Sequence, residues 1–241
     1  MAEITNDAGD KLIVHPEGGK IELWLGGTLV LGSFPRGDGK QGTTHPCTPI
    51  FGPDRNNLYG LKQHGMMRND AVSVKEENGE IVVSYAIKDE GYPAGMNVEQ
   101  RMSLRDKKFH FAMTHTNTGE KEAAVNAGEH CYFDAPQGFK GTTINGKDIS
   151  ALIEQNVDGV AVPLVQANTI QIPGKPAIDL MQIDLMNAMV WVGKHPETKA
   201  IDQTYICIEP VEEDPNSDFF GSPESMLKPG ERRTCTFTIS I

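Results

Sequence analysis

Residues 108–119 read KFHFAMTHTNTG, and their alternation decides the class of fold. Phe109, Phe111 and Met113 fall on one side of an extended chain, with His110, Ala112 and Thr114 on the other. Side chains alternate across a strand with a period of two, so the run predicts a strand with one buried face. It ends in Asn117-Thr118-Gly119, a turn-forming trio.

The same pattern spreads outward. RTCTFTISI (233–241) puts Cys235, Phe237, Ile239 and Ile241 on one face and hydroxyl residues on the other. EIVVSYAI, NVEQRMSL, KIELWL and AMVWV are short, rich in β-branched or aromatic residues, and bounded by Gly, Asn or Asp. Helical spacing with recognisable caps is nearly absent. DLMQIDLMNAM (179–189) is the best helix candidate, and it reads equally well as two short strands. The expectation is an all-β chain with little helix, a large antiparallel β-sandwich formed by a single domain over residues 1–241. The irregular stretch from Pro35 to Asn57, with four glycines and several prolines, is too long for an idle turn and reads as mobile or functional.

Twenty-two basic and 33 acidic side chains leave a formal charge of −11. Such a field repels nucleic acid and anionic membrane, and no basic cluster along the chain offsets it. A neutral small substrate suits this background, and an anionic one needs a local patch of arginine or lysine. The first residues, MAEITNDAGDKLIV, lack the basic and apolar regions of a secretory signal, and no apolar run approaches the roughly 18 residues that span a bilayer. Cys47, Cys131, Cys207 and Cys235 are scattered without a C-x-x-C pair. They read as reduced cysteines of a cytoplasmic protein, a monomer or weak homodimer.

Metal and nucleophile chemistry find little support. His45-Pro46-Cys47 and His130-Cys131 lack paired-ligand spacing, and no Gly-x-Ser-x-Gly elbow or phosphate loop occurs. The expectation is no metal and no cofactor. Three local patterns remain. TPIFGPDRNNLYGLKQHGMMRNDAVSV (48–74) carries Arg55, His64-Gly65 and Arg68; NAGEHCYFDAPQG (126–138) carries His130; and a strand ICIEP ends at Glu209-Pro210 before an acidic loop and the turn Pro229-Gly230-Glu231. Taken singly, each has a plain structural explanation, because ionisable groups are mostly exposed.

Taken together and in order, the patterns resemble the aldose 1-epimerase (hexose mutarotase) family with its galactose-mutarotase-like supersandwich. The nearest likeness is to the short bacterial, hexose-6-phosphate mutarotase-like branch. NAMVWVG and THTNTGEKE also match, so the likeness runs from about Gly18 to the C-terminus. The resemblance implies a mutarotase that interconverts the anomers of a hexose or hexose 6-phosphate, with His130 as catalytic acid, Glu209 as base and His64 as a second active-site histidine. Arg55 would bind the sugar or its phosphate. A phosphate needs a second cation, for which Arg68, Lys62 and Arg36 are the candidates. Tyr132, Phe133, Phe219 and Phe220 could offer flat surfaces to a pyranose ring, with Tyr132 the foremost. Met66 and Met67 depart from the Gly, Phe or Ala usual beside His64, and the aspartate that holds sugar hydroxyls in the galactose-specific branch has no clear counterpart between Asp148 and Asp179.

The residues themselves add detail. Gly128 permits a close backbone approach, while Glu129 and Cys131 alternate away from His130 on a strand and are not expected to act. Glu209 follows the apolar Ile206-Cys207-Ile208, where partial burial would raise its pKa. A sugar-binding module without catalysis is the alternative on the same fold.

Overall fold

The computed structural model describes residues 1–156 and 159–241. Almost every element is a strand. Two large antiparallel sheets, of ten and nine strands among the described residues, face each other across an apolar core. The one α-helix among the described residues, Ser150–Gln155, is six residues long and sits between strands of the second sheet and an edge strand of the first.

The strand Lys108–Asn117 lies inside the nine-stranded sheet, paired along its length with Met96–Arg105 on one side and with Arg232–Ser240 on the other. Its burial alternates at every residue, with Phe109, Phe111, Met113, His115 and Asn117 inward. Phe111 and Phe237 are direct cross-strand partners whose rings stack at 4.6 Å, a pairing that stabilises a sheet by about 0.2–1 kcal/mol beyond its area. Cys235, Phe237 and Ile239 are buried as their alternation requires, but Ile241 is not. It follows the last strand residue, Ser240, and stands 43% exposed, because no partner continues past that point.

The 179–189 segment is two strands rather than a helix. Ile178–Ile183 joins the nine-stranded sheet and Asn187–Trp191 the ten-stranded one, with Asp184 in a left-handed conformation between them. A short polar residue tolerates that conformation, so this one turn carries the chain from sheet to sheet.

The site rests on Tyr205–Val211, an inner strand buried at all seven residues. Strands buried on both faces read as continuous apolar runs rather than alternating ones. Ile206 and Ile208 point into the core between the sheets, whereas Tyr205, Cys207 and Val211 pack in separate clusters on the opposite face. The segment carrying His130 behaves alike. Cys131 and Phe133 belong to the main core, and Tyr132 to the cluster on the other face. The cover of that face comes largely from the Pro35–Asn57 stretch, which forms the short strands Gln41–Thr43 and His45–Cys47 and the loop beyond them. No helix of the described residues is long and apolar enough to cross a membrane, and all four cysteines are free and buried.

Candidate active site

A cavity of about 870 Å³ opens on this covered face. His64, His130, Glu209, Arg55, Arg68 and Tyr132 all contribute to its wall, so the structure brings together the six residues singled out from sequence. His130 comes from the strand Gly128–His130 and Glu209 from its neighbour Tyr205–Val211. That pairing is close because residue 128 is glycine. A Cβ there would lie 2.5 Å from the Pro210 carbonyl oxygen and 2.9 Å from the Phe51 ring, well inside contact distance.

His130 stacks against His45, at 4.7 Å, and against Tyr132, at 4.9 Å, the two rings themselves 6.3 Å apart, with His64 and Trp191 edge-on at 5.5 and 5.9 Å. Its Nδ1 stands 3.3 Å from Glu209 Oε1, yet neither atom completes a hydrogen bond. Burial pushes the His130 imidazole well below its usual range, and the neighbouring His45, His64, Arg68 and Arg36 disfavour a further positive charge there. Burial pushes the Glu209 carboxyl well up. Desolvation penalises whichever form is charged, so the two shifts run in opposite directions for acid and base.

The other two histidines have fixed and opposite tautomers. His64 Nδ1 accepts from the Gly52 N–H at 3.0 Å while its own N–H donates to Gly52 O at 2.8 Å, so the neutral ring carries its hydrogen on Nε2. Its backbone is left-handed at φ 64°, a conformation that costs a bulky residue about 1–3 kcal/mol and clusters at functional sites. His45 donates from Nδ1 to Thr43 O at 2.7 Å. Its other nitrogen therefore bears a lone pair, and burial pushes the ring's pKa down to about 3.

The charge of the wall is opposite to that of the chain. Lys20, Arg36, Lys40, Arg55 and Arg68 line the cavity, and among the described residues Glu209 is the only carboxylate that does. Arg36 is held by Asp38 at 2.9 Å and lies 4.9 Å over the Trp191 ring; Lys20 is paired with Glu17. Arg55 donates to Pro215 O at 3.3 Å and to the Asn216 side chain. Arg68 donates one Nη to Gln63 O at 2.9 Å, while its Nε is buried without a partner. Among the described residues, this arrangement offers more cationic groups than it has carboxylates to pair them.

Several expectations are corrected. Lys62 does not line the cavity, and neither do Phe133, Phe219 or Phe220. Phe133 is on the core side of its strand, and Phe220 packs on Tyr59. The apolar surfaces are instead Tyr132, Phe51 and Trp191. Phe51 and Trp191 were legible only as loop and buried strand. His45 drew notice solely as half of a poor metal motif. No aspartate lines the cavity among the described residues, and positions 157 and 158 of the 148–179 segment lie outside them.

The aldose 1-epimerase family model matches residues 36–169, more than half of the chain. The chain belongs to the aldose 1-epimerase family. No curated protein matches it in sequence. Solved structures of the same architecture include a galactose mutarotase related enzyme from Lactobacillus acidophilus, 14% identical with a TM-score of 0.77 over 99% of this chain and 97% of that one. A galactose mutarotase-like protein from Lactobacillus casei is 17% identical, with a TM-score of 0.74 over 100% and 99%. A GalM/aldose epimerase homologue from C. elegans is 14% identical, with a TM-score of 0.64 over 99% and 97%. At these identities the likeness shows the supersandwich fold alone; the family rests on the sequence match.

Proposed function

We propose that this epimerase interconverts the α and β anomers of a phosphorylated aldose, a hexose 6-phosphate by preference, with His130 and Glu209 as acid and base. The observation that carries the reading is the 3.3 Å approach of His130 to Glu209 in a wall to which five lysine and arginine side chains also contribute. In ring opening, the Glu209 carboxylate takes the proton of the anomeric hydroxyl and the His130 imidazolium gives one to the ring oxygen. The bond from C1 to the ring oxygen breaks and C1 becomes an aldehyde. After rotation about C1–C2 the roles reverse and the ring closes on either face. Positioned acid and base groups contribute about 100- to 10,000-fold each.

The pair thus carries one proton throughout. It is an ion pair beside the closed ring and a neutral pair beside the open aldehyde. Burial favours the neutral distribution, which narrows the gap between ring and chain on the enzyme. His64, with its hydrogen on Nε2, donates to a sugar oxygen in this scheme. Saturation-transfer NMR on glucose, galactose and glucose 6-phosphate tests the reading. Accelerated exchange, fastest on the phosphate, is expected. Saturable binding without acceleration would leave a sugar-binding module.

Two further results are expected. The pair takes a second proton only below pH 6.5, because His130 is pushed down from that value, and gives up its last only well above 4.5, because Glu209 is pushed up from there. The values belong to the pair as a unit. A pH profile of kcat on unphosphorylated sugar should therefore be flat between these limbs, with the acid limb below 6.5; an acid limb at or above 6.5 contradicts a buried neutral His130. For the phosphate handle, Arg68→Gln is expected to raise KM for glucose 6-phosphate by about 10- to 100-fold, the worth of a hydrogen bond to a charged group. The change for glucose should stay within a few-fold. Equal changes for both sugars would remove phosphate from the assignment.

A further inference from the structure

Cys207 has no part in the reaction above, yet it stands beside both groups that do. It lies two residues before Glu209 on the buried strand Tyr205–Val211, so the two side chains share the face that carries the cavity. Cys207 Sγ, a His130 ring nitrogen and a Glu209 oxygen all lie within 4.8 Å of one another. His130 Nδ1 and Glu209 Oε1 are each buried and without a hydrogen-bond partner, on residues only 7% and 2% exposed. Buried polar atoms left unpartnered are rare in folded proteins, because each has given up its water without a replacement. A ligand that engages both orphaned atoms at once supplies that replacement.

We propose that His130, Cys207 and Glu209 bind a borderline-soft divalent cation, zinc by the chemistry of the donors, and that the bound cation and the sugar exclude each other. The donor set is one imidazole, one thiolate and one carboxylate, the mixture zinc takes with bonds of about 2.0–2.3 Å. Donors around one tetrahedral ion therefore sit roughly 3.3–3.8 Å apart. His130 Nδ1 and Glu209 Oε1 are already at 3.3 Å, and Cys207 Sγ needs to close by about an ångström or less. Because His130 and Glu209 line the cavity, water from it can supply the fourth ligand.

The charge balance suits a buried site ringed by arginines. The acid/base pair holds one proton and the Cys207 thiol another. Binding Zn²⁺ to neutral imidazole, thiolate and carboxylate releases both, so two positive charges leave as two arrive. The complex is neutral, and the surrounding arginines and lysines do not oppose it. Metal binding that displaces protons is itself pH-dependent. Exclusion of the sugar follows because the cation occupies both groups that move protons, and only this clause rests on the proposed reaction. Binding rests on the three donors alone.

Titration calorimetry of the full chain with zinc chloride, in two buffers of different ionisation enthalpy, tests binding without any assay of activity. One ion per chain and about two protons released per ion are expected. Cobalt(II) in place of zinc should show a thiolate-to-metal absorption band in the near ultraviolet. Cys207→Ser should weaken zinc by about 100-fold or more, since even partners of metal ligands are worth 10- to 100-fold, and abolish the cobalt thiolate band while anomer exchange is retained. Cys207→Ala serves if serine unfolds the apolar pocket of Phe34, Tyr132 and Tyr205. Zinc should inhibit exchange by the wild type, and EDTA should restore it. Unchanged zinc affinity in the cysteine variants, proton release near zero, or a cobalt complex without the thiolate band would each overturn the site. Tight binding by a chain that exchanges no anomers would support the metal site and count against the proposed reaction.

Discussion

Glu209→Gln is expected to lower the rate of anomer exchange by about 100- to 10,000-fold, the contribution of one positioned acid or base, while leaving the chain folded. Glutamine has the shape of a protonated glutamate but neither takes nor gives up a proton at working pH. The fold should tolerate it because Glu209 is 2% exposed and its carboxyl is already pushed toward the neutral form by burial. Exchanging a buried ionisable group for a neutral isostere removes a desolvation cost, so the melting temperature should equal or exceed that of the wild type. His130→Ala should lose a similar factor. Because one proton passes back and forth through the pair, the double variant should be little slower than either single one; residues that act as a unit are non-additive. Saturation transfer and thermal melting measure both halves. Full exchange by Glu209→Gln, or two single losses that multiply in the double variant, would show that the pair is not the machinery.

Gly65→Ala is expected to be among the most destabilising single-methyl changes in the chain. Residue 65 has φ 65°, and a Cβ there would lie 2.0 Å from the Thr48 carbonyl oxygen and 3.1 Å from Pro49 Cδ. The conformation alone costs about 1 kcal/mol for a residue with a Cβ. The contact is backbone against backbone, so relief requires the His64-Gly65 turn to move away from Thr48-Pro49. Strain of that kind brings the total to about 3 kcal/mol or more, or roughly 6–12 °C in a domain of this size. Gly9→Ala is the control. Its φ is 81°, but nothing lies within 4 Å of the added atom, so it should show the conformational cost alone. Exchange by folded Gly65→Ala should also fall, since His64 precedes the strained residue and holds its tautomer through Gly52. Equal melting temperatures for the two variants would mean that the loop gives way freely.

Much of the catalytic pattern was legible because its residues sit in local motifs. His130 lies between alternating Gly128 and Tyr132, and Glu209 ends an apolar run, and both sit in motifs whose order resembles the family's. The aromatic wall was less legible. Phe133 and Tyr132 are neighbours in sequence and equally apolar, and which face of the sheet meets solvent or cavity depends on what covers it. Trp191 sits in a run that looks like any buried strand, and its meeting with Arg36, 4.9 Å away on a distant loop, is set by the tertiary fold. The stacking of His45 on His130 was hidden for the same reason, since the two are 85 residues apart along the chain.

By itself, the sequence determined what backbone geometry and short-range alternation can determine: strands, the buried faces of those that alternate, and the near absence of helix; His130 and Glu209 came from ordered motifs that resemble the family's. A period of two is a property of the extended chain and needs no partner to be read. The sign of the site was another matter. A chain of charge −11 builds a cavity with five cations drawn from positions 20, 36, 40, 55 and 68, none of them forming a run. Electrostatic potential sums over space rather than along sequence, so only the closing of the loops over the sheet decided that this acidic protein presents a basic site.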